Sequence, residues 1–131
     1  AWIINSGFFN GGTPVQAPVW LIGLSTSMFG VGVFLHFSAD MYKHTMLDLR
    51  PGELIHGGIL SGCRNINYFG ELLIYVSFAV LAMHWVPFLA LSLMMIIVWF
   101  PNMVRKERSL SRYPGFADYN RRSSLFIPFI Y

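Results

Sequence analysis

Polar and apolar positions along this chain fall into long blocks rather than short alternating runs. No Asp, Glu, Lys or Arg occurs before Asp40, and none occurs between Glu71 and Arg105. A soluble fold spreads its charges, so both blanks read as lipid-facing. From Pro18 to about Ser38 the run is apolar with small residues interspersed, the length of one membrane-crossing helix. Gly23, Ser27 and Gly30 are expected to face a neighbouring helix, because small residues let helix backbones approach. A single helix over residues 72–104 would reach about 50 Å at roughly 1.5 Å per residue, which overshoots a hydrocarbon core of about 30 Å. His84-Trp85-Val86-Pro87 supplies the break, since Pro stops helices and Trp favours the membrane interface. The pattern therefore predicts a hairpin of two helices, near Asn67–His84 and Pro87–Val104. Residues 40–64 form a polar connection with Arg50-Pro51-Gly52 and His56-Gly57-Gly58 as breakers.

The expected fold class is all-α: a polytopic membrane helical bundle with about three transmembrane helices. Residues 1–16 read as an interfacial or truncated N-terminal segment, with Trp2, Phe8 and Phe9 suited to the interface. No charged region stands ahead of an apolar core, so residues 1–10 do not read as a signal peptide. Residues 17–131 read as one membrane domain with a basic tail over 105–131.

Composition sharpens this picture. Only 11% of the residues are charged, against about 25% in soluble domains. All nine Lys and Arg lie in Lys43–Arg64 or Arg105–Arg122. Three spans put both clusters on one side, which the positive-inside rule makes cytoplasmic or its organellar equivalent. The net charge of +3 then reflects orientation, and no nucleic-acid partner is expected. The single cysteine, Cys63, excludes an internal disulfide and a Cys-based zinc site, and no metal is expected.

Three polar clusters meet at the charged face. His36, Asp40, Lys43 and His44 share one helical face by their spacing. Arg64-Asn65-Ile66-Asn67-Tyr68-Phe69-Gly70-Glu71 opens the second helix. A carboxylate and an Asn in a first turn have capping value, yet this density of polar groups beside lipid marks a site. Arg105-Lys106-Glu107-Arg108, with Arg112, Tyr113 and Tyr119, follows the third helix. The hairpin returns Arg105 to the depth of Asn67 and Glu71. Guanidinium forks suit phosphate oxygens, so a phosphate-rich cofactor with a lipid-like substrate fits the polar bowl that the three clusters are expected to form. No glycine-rich nucleotide fingerprint and no Ser-His-Asp pattern is visible.

The run Arg64–Glu71, the tail Arg105–Tyr119 and the ending Phe126-Ile127-Pro128-Phe129 resemble the C-terminal domain of steroid 5-alpha-reductases. They look closest to the uncharacterised bacterial and plant branch of that superfamily, and the likeness covers Phe37 to Tyr131. The resemblance implies a membrane reductase that uses NADPH to reduce a carbon–carbon double bond of a steroid or lipid. It implies cofactor contacts by Asp40, Asn67, Glu71, Arg105 and Tyr113. It also implies an endoplasmic reticulum, other organellar or bacterial inner membrane. The family's acid pair of Glu and Tyr has no counterpart before Asp40, so the resemblance covers the cofactor half alone and leaves the catalytic residues unknown. Two alternatives stand: a non-catalytic subunit of a larger membrane complex, and a methyltransferase of the isoprenylcysteine carboxyl type using S-adenosylmethionine.

Overall fold

The computed structural model describes residues 16–130, and all regular structure there is helical. The interfacial segment expected over residues 1–16 lies, Gln16 apart, outside the described residues. Helix α1 runs from Val19 to Leu49. Helix α2 runs from Ile66 to Leu81. Helix α3 spans Val86–Leu110, and the short α4 covers Phe116–Arg122. A 3-10 turn, Gly58–Leu60, interrupts the connection between α1 and α2.

Two of these helices, α1 and α3, are long and apolar enough to cross a membrane. Their side chains are arranged inside out relative to a soluble bundle. Val19, Trp20, Phe34 and Phe37 on α1 and Ile96, Ile97 and Leu93 on α3 are all exposed. Single exposed apolar residues are ordinary, but contiguous apolar faces on two helices mark surfaces that water does not cover. The third expected span is shorter. Helix α2 has 16 residues, or about 24 Å at roughly 1.5 Å per residue.

The hairpin forms where the sequence places it. Helix α2 ends at Leu81, Met83 takes a left-handed φ of 50°, and α3 restarts at Val86 with Pro87 in its first turn. Proline fits there because a first-turn N–H has no intrahelical partner to lose. Helix α1 departs from expectation: it runs through residues 40–49 instead of ending near Ser38. Nothing breaks it before Pro51. The i, i+4 pairs His36–Asp40, 3.6 Å, and His44–Asp48, 3.2 Å, lie along this extension. A second departure is a π-helical turn, Met95–Trp99, inside α3, where the Phe100 N–H reaches Met95 O. Pro101 follows at once. Its ring would clash with the carbonyl four residues back, and the wider turn relieves that conflict.

Helices α1 and α2 cross through two glycines. A Cβ on Gly70 would lie 2.6 Å from His36 N and 2.7 Å from Gly32 O, and a Cβ on Gly32 would lie 2.6 Å from Gly70 O. The buried stripe of α1 is Leu21, Ser25, Gly32 and Ala39. The expected contact face of Gly23, Ser27 and Gly30 is corrected: all three are exposed, and a Cβ on Gly23 or Gly30 would meet nothing within 4 Å. Small residues permit close approach without directing it. The crossing goes where both helices carry glycine.

The chain's end folds back onto the start of α2. Ser124 N–H donates to Gly62 O at 3.0 Å and Arg64 N–H to Ser124 O at 2.9 Å. The Asn65 amide donates to Leu125 O at 2.9 Å. Trp99, Met103 and Phe126 bury together beneath this return. Tyr119, buried on α4, donates its hydroxyl to Leu60 O at 2.8 Å. Burial holds its phenol at about 12, above the ordinary 10. A raised folded value means the unfolded chain loses this proton first. The stability carried by Tyr119 is thus complete below about pH 10 and falls as pH rises towards 12. Denaturant titrations at stepped pH should show wild type losing stability across that window, and Tyr119→Phe losing less.

Candidate functional site

Every helix end that carries charge comes to one end of the bundle. Three of them build a polar cluster there. Helix α1 contributes Lys43, whose ammonium donates to Asn67 Oδ1 at 2.8 Å. Two turns earlier, His36 Nδ1 lies 3.2 Å from Asn67 O. Helix α3 contributes Lys106, which donates to Asn65 Oδ1 at 2.7 Å and to Arg64 O at 3.3 Å. The two lysines thus stand on amides two residues apart, Asn65 and Asn67. They are held side by side by paired amides at the N-terminus of α2, where unpaired backbone N–H groups add positive potential.

The sequence-derived residues fall into two groups. Asn67 sits at the centre, with its Oδ1 used by Lys43 and its Nδ2 meeting no acceptor among the described residues. Asp40 borders the cluster, 3.6 Å from His36 and 4.0 Å from Lys43, and is half exposed. Glu71 lies one turn beyond Asn67 and accepts a long contact, 3.5 Å, from the Tyr75 hydroxyl. Arg105 and Tyr113 are not brought to this cluster. Arg105 is exposed and Tyr113 half-buried, and neither side chain has a hydrogen bond or ion pair among the described residues.

Lys106 occupies the place expected of Arg105. The helical register explains the exchange. Trp99 and Met103 are the buried residues of this stretch of α3, and positions 99, 103 and 106 lie on one face by the i, i+4, i+7 rule. Position 105 points about 100° away from 106. The apolar spacing ahead of the basic run thus carried the signal that Lys106, rather than Arg105, turns inward. Asn65 was equally hidden, since the resemblance implies a cofactor contact at Asn67 and none at Asn65.

Arg64 plays a different part. It is buried, and its Nε donates to Glu107 at 2.8 Å. Its Nη1 reaches Asn120 O at 3.2 Å and Ser123 O. This guanidinium ties α2, α3 and the tail together through Nε and Nη1. Cys63 is also structural: buried, with Sγ 3.2 Å from Phe126 O, and burial raises its thiol above the ordinary value. No group of three or more metal-ligating side chains occurs among the described residues.

The chain belongs to DUF1295, a family of steroid 5-alpha-reductase-like proteins described as a protein of unknown function, whose model matches residues 6–123. No curated protein matches the chain.

Proposed function

We propose that this chain is a multi-pass membrane protein that supplies the cofactor-binding half of an NADPH-dependent reductase of a steroid or lipid carbon–carbon double bond. The observation that supports this reading most directly is the pairing of Lys43 and Lys106 against Asn65 and Asn67 at the start of α2. Two ammonium groups at one helix N-terminus favour an anion, and they stand beneath an otherwise apolar bundle. The residues present fit the phosphate-bearing end of a dinucleotide. Lys43, Lys106 and the free Asn67 Nδ2 would hold it, Asp40 and Glu71 would accept hydroxyls, and exposed Arg105, with Tyr113, would extend the set outward. NADPH, when bound, supplies the hydride. The chain's own residues bind and orient, and the apolar surfaces of α1 and α3 exclude water from a lipid-like substrate. The membrane is an organellar or bacterial inner one, with Lys43–Arg64 and the tail on its cytoplasmic side. Both clusters lie at the same end of the bundle, joined by Arg64–Glu107 and Lys106–Asn65, which supports that orientation.

A second reading, a non-catalytic membrane subunit, draws support from α1. Between residues 16 and 39 only His36 can titrate, and it is occupied by Asn67 and Asp40. Titration of the detergent-solubilised chain with NADPH separates the two. Wild type should bind. Lys43→Met and Arg105→Ala should each weaken binding about tenfold or more, the worth of a hydrogen bond to a charged group. Unchanged affinity in Arg105→Ala removes that residue from the site. Absence of NADPH binding in wild type favours the non-catalytic subunit.

A further inference from the structure

A recess lies on the tail, next to the lysine cluster: Arg64, whose carbonyl accepts from Lys106, is part of its lining. It is an open groove of about 540 Å³ whose lining brings Arg121, Arg122, Ser123 and Ser124 together with Phe129 and Ile130. Both arginines are exposed. Arg122 Nε makes only a 3.3 Å contact to Asp118 O, and neither guanidinium forms an ion pair among the described residues. Their fork donors are therefore available, whereas Arg64, also in the lining, is buried and ion-paired to Glu107.

The apolar part of the lining is held outward. Ile127-Pro128-Phe129-Ile130 makes a turn closed by Ile130 N–H donating to Ile127 O at 3.2 Å. Phe129 takes a φ of 66°, at the third position of a proline-led turn, where glycine or asparagine is the unstrained choice. The turn leaves Phe129 91% and Ile130 79% exposed. Water offers no return for holding an aromatic and a branched aliphatic side chain in a strained turn. The groove also sits at a defined level. Ser124 pairs with Gly62 and Arg64, so it lies where the apolar surfaces of the bundle give way to charge.

We propose that this groove binds the headgroup of an anionic phospholipid, with Arg121 and Arg122 on the phosphate and Phe129 and Ile130 against the acyl chains. The proposal rests on the membrane reading above and is independent of NADPH. Guanidinium forks match phosphate oxygens, and apolar side chains beside them match the boundary between headgroup and hydrocarbon. A free phosphate would use the arginines and leave Phe129 and Ile130 without a role. A lipid uses both parts of the lining.

The test is binding of dioctanoyl phosphatidylglycerol and dioctanoyl phosphatidylcholine to the full chain, delipidated in neutral detergent and read by native mass spectrometry. Wild type should prefer the anionic lipid by roughly thirtyfold, two basic residues at about 1 kcal/mol each. The double variant Arg121→Gln, Arg122→Gln should bind both lipids alike. Phe129→Ser should weaken both while keeping the preference. These side chains are exposed, and circular dichroism checks that the helices persist. No preference in wild type, or a preference retained by the double arginine variant, overturns the proposal. Displacement of the anionic lipid by equimolar inorganic phosphate shows a simple anion site and also overturns it. A chain that stays monodisperse without detergent defeats the membrane reading and this groove together; loss of NADPH binding alone leaves the groove standing.

Discussion

Arg64→Ala should release the C-terminal tail and destabilise the chain by about 3–5 kcal/mol, the cost of leaving one partner of a buried ion pair uncompensated. Arg64 is 6% exposed and Glu107 is 23% exposed, so water reaches the abandoned carboxylate poorly. The carbonyls of Asn120 and Ser123 lose their donor in the same change. Detergent-phase unfolding curves would measure the loss, and limited proteolysis would locate it. The variant should be cut between Leu110 and Phe126 under conditions that leave wild type whole. A double variant, Arg64→Met with Glu107→Leu, should recover much of the stability, since apolar side chains of similar volume often replace a buried pair at little cost. A tail as resistant to protease in Arg64→Ala as in wild type would show that backbone pairing with Gly62 and Arg64 holds it alone.

Gly70→Val should separate α1 from α2. The added Cβ would meet His36 N at 2.6 Å and Gly32 O at 2.7 Å, and both are backbone atoms that no rotamer change can move. Relief requires the helices to part by about 1 Å along their crossing. Overpacking of this kind costs about 1–3 kcal/mol and sometimes more. The site feels the same displacement. His36 and Lys43 reach Asn67 from α1, so parting the helices breaks both contacts. Gly70→Val should therefore lower thermal stability and weaken NADPH binding together. Gly30→Val should change neither appreciably, because a Cβ there meets nothing within 4 Å. Equal stability of Gly70→Val and Gly30→Val would refute the crossing geometry.

The helical class, the hairpin break and the convergence of charge at one end were legible in the sequence. Each follows from a one-dimensional signal. A charge-free run longer than one span must turn, and Met83 and Pro87 show where it does. The extension of α1 through Leu49 was legible in principle from the absence of any breaker before Pro51. Charge near Asp40 masks it, because polarity there marks the end of the apolar layer and not the end of the helix. The π-helical turn before Pro101 had a visible cause in that proline.

The sequence by itself determined the helical class, the hairpin break, which surfaces are apolar, and that Asn67 and its neighbours open α2 among the basic residues. Only the tertiary structure decided which face of each helix meets another. On α1 several small-residue stripes were available, and the crossing took Gly32 because Gly70 on α2 offered the matching gap. On α3 adjacent cations were available, and burial of Trp99 and Met103 turned Lys106 inward and left Arg105 outside. Helix rotation about its own axis is the reason. Local sequence sets the apolar period, but a difference of one residue, about 100°, is settled by packing against partners distant in the chain.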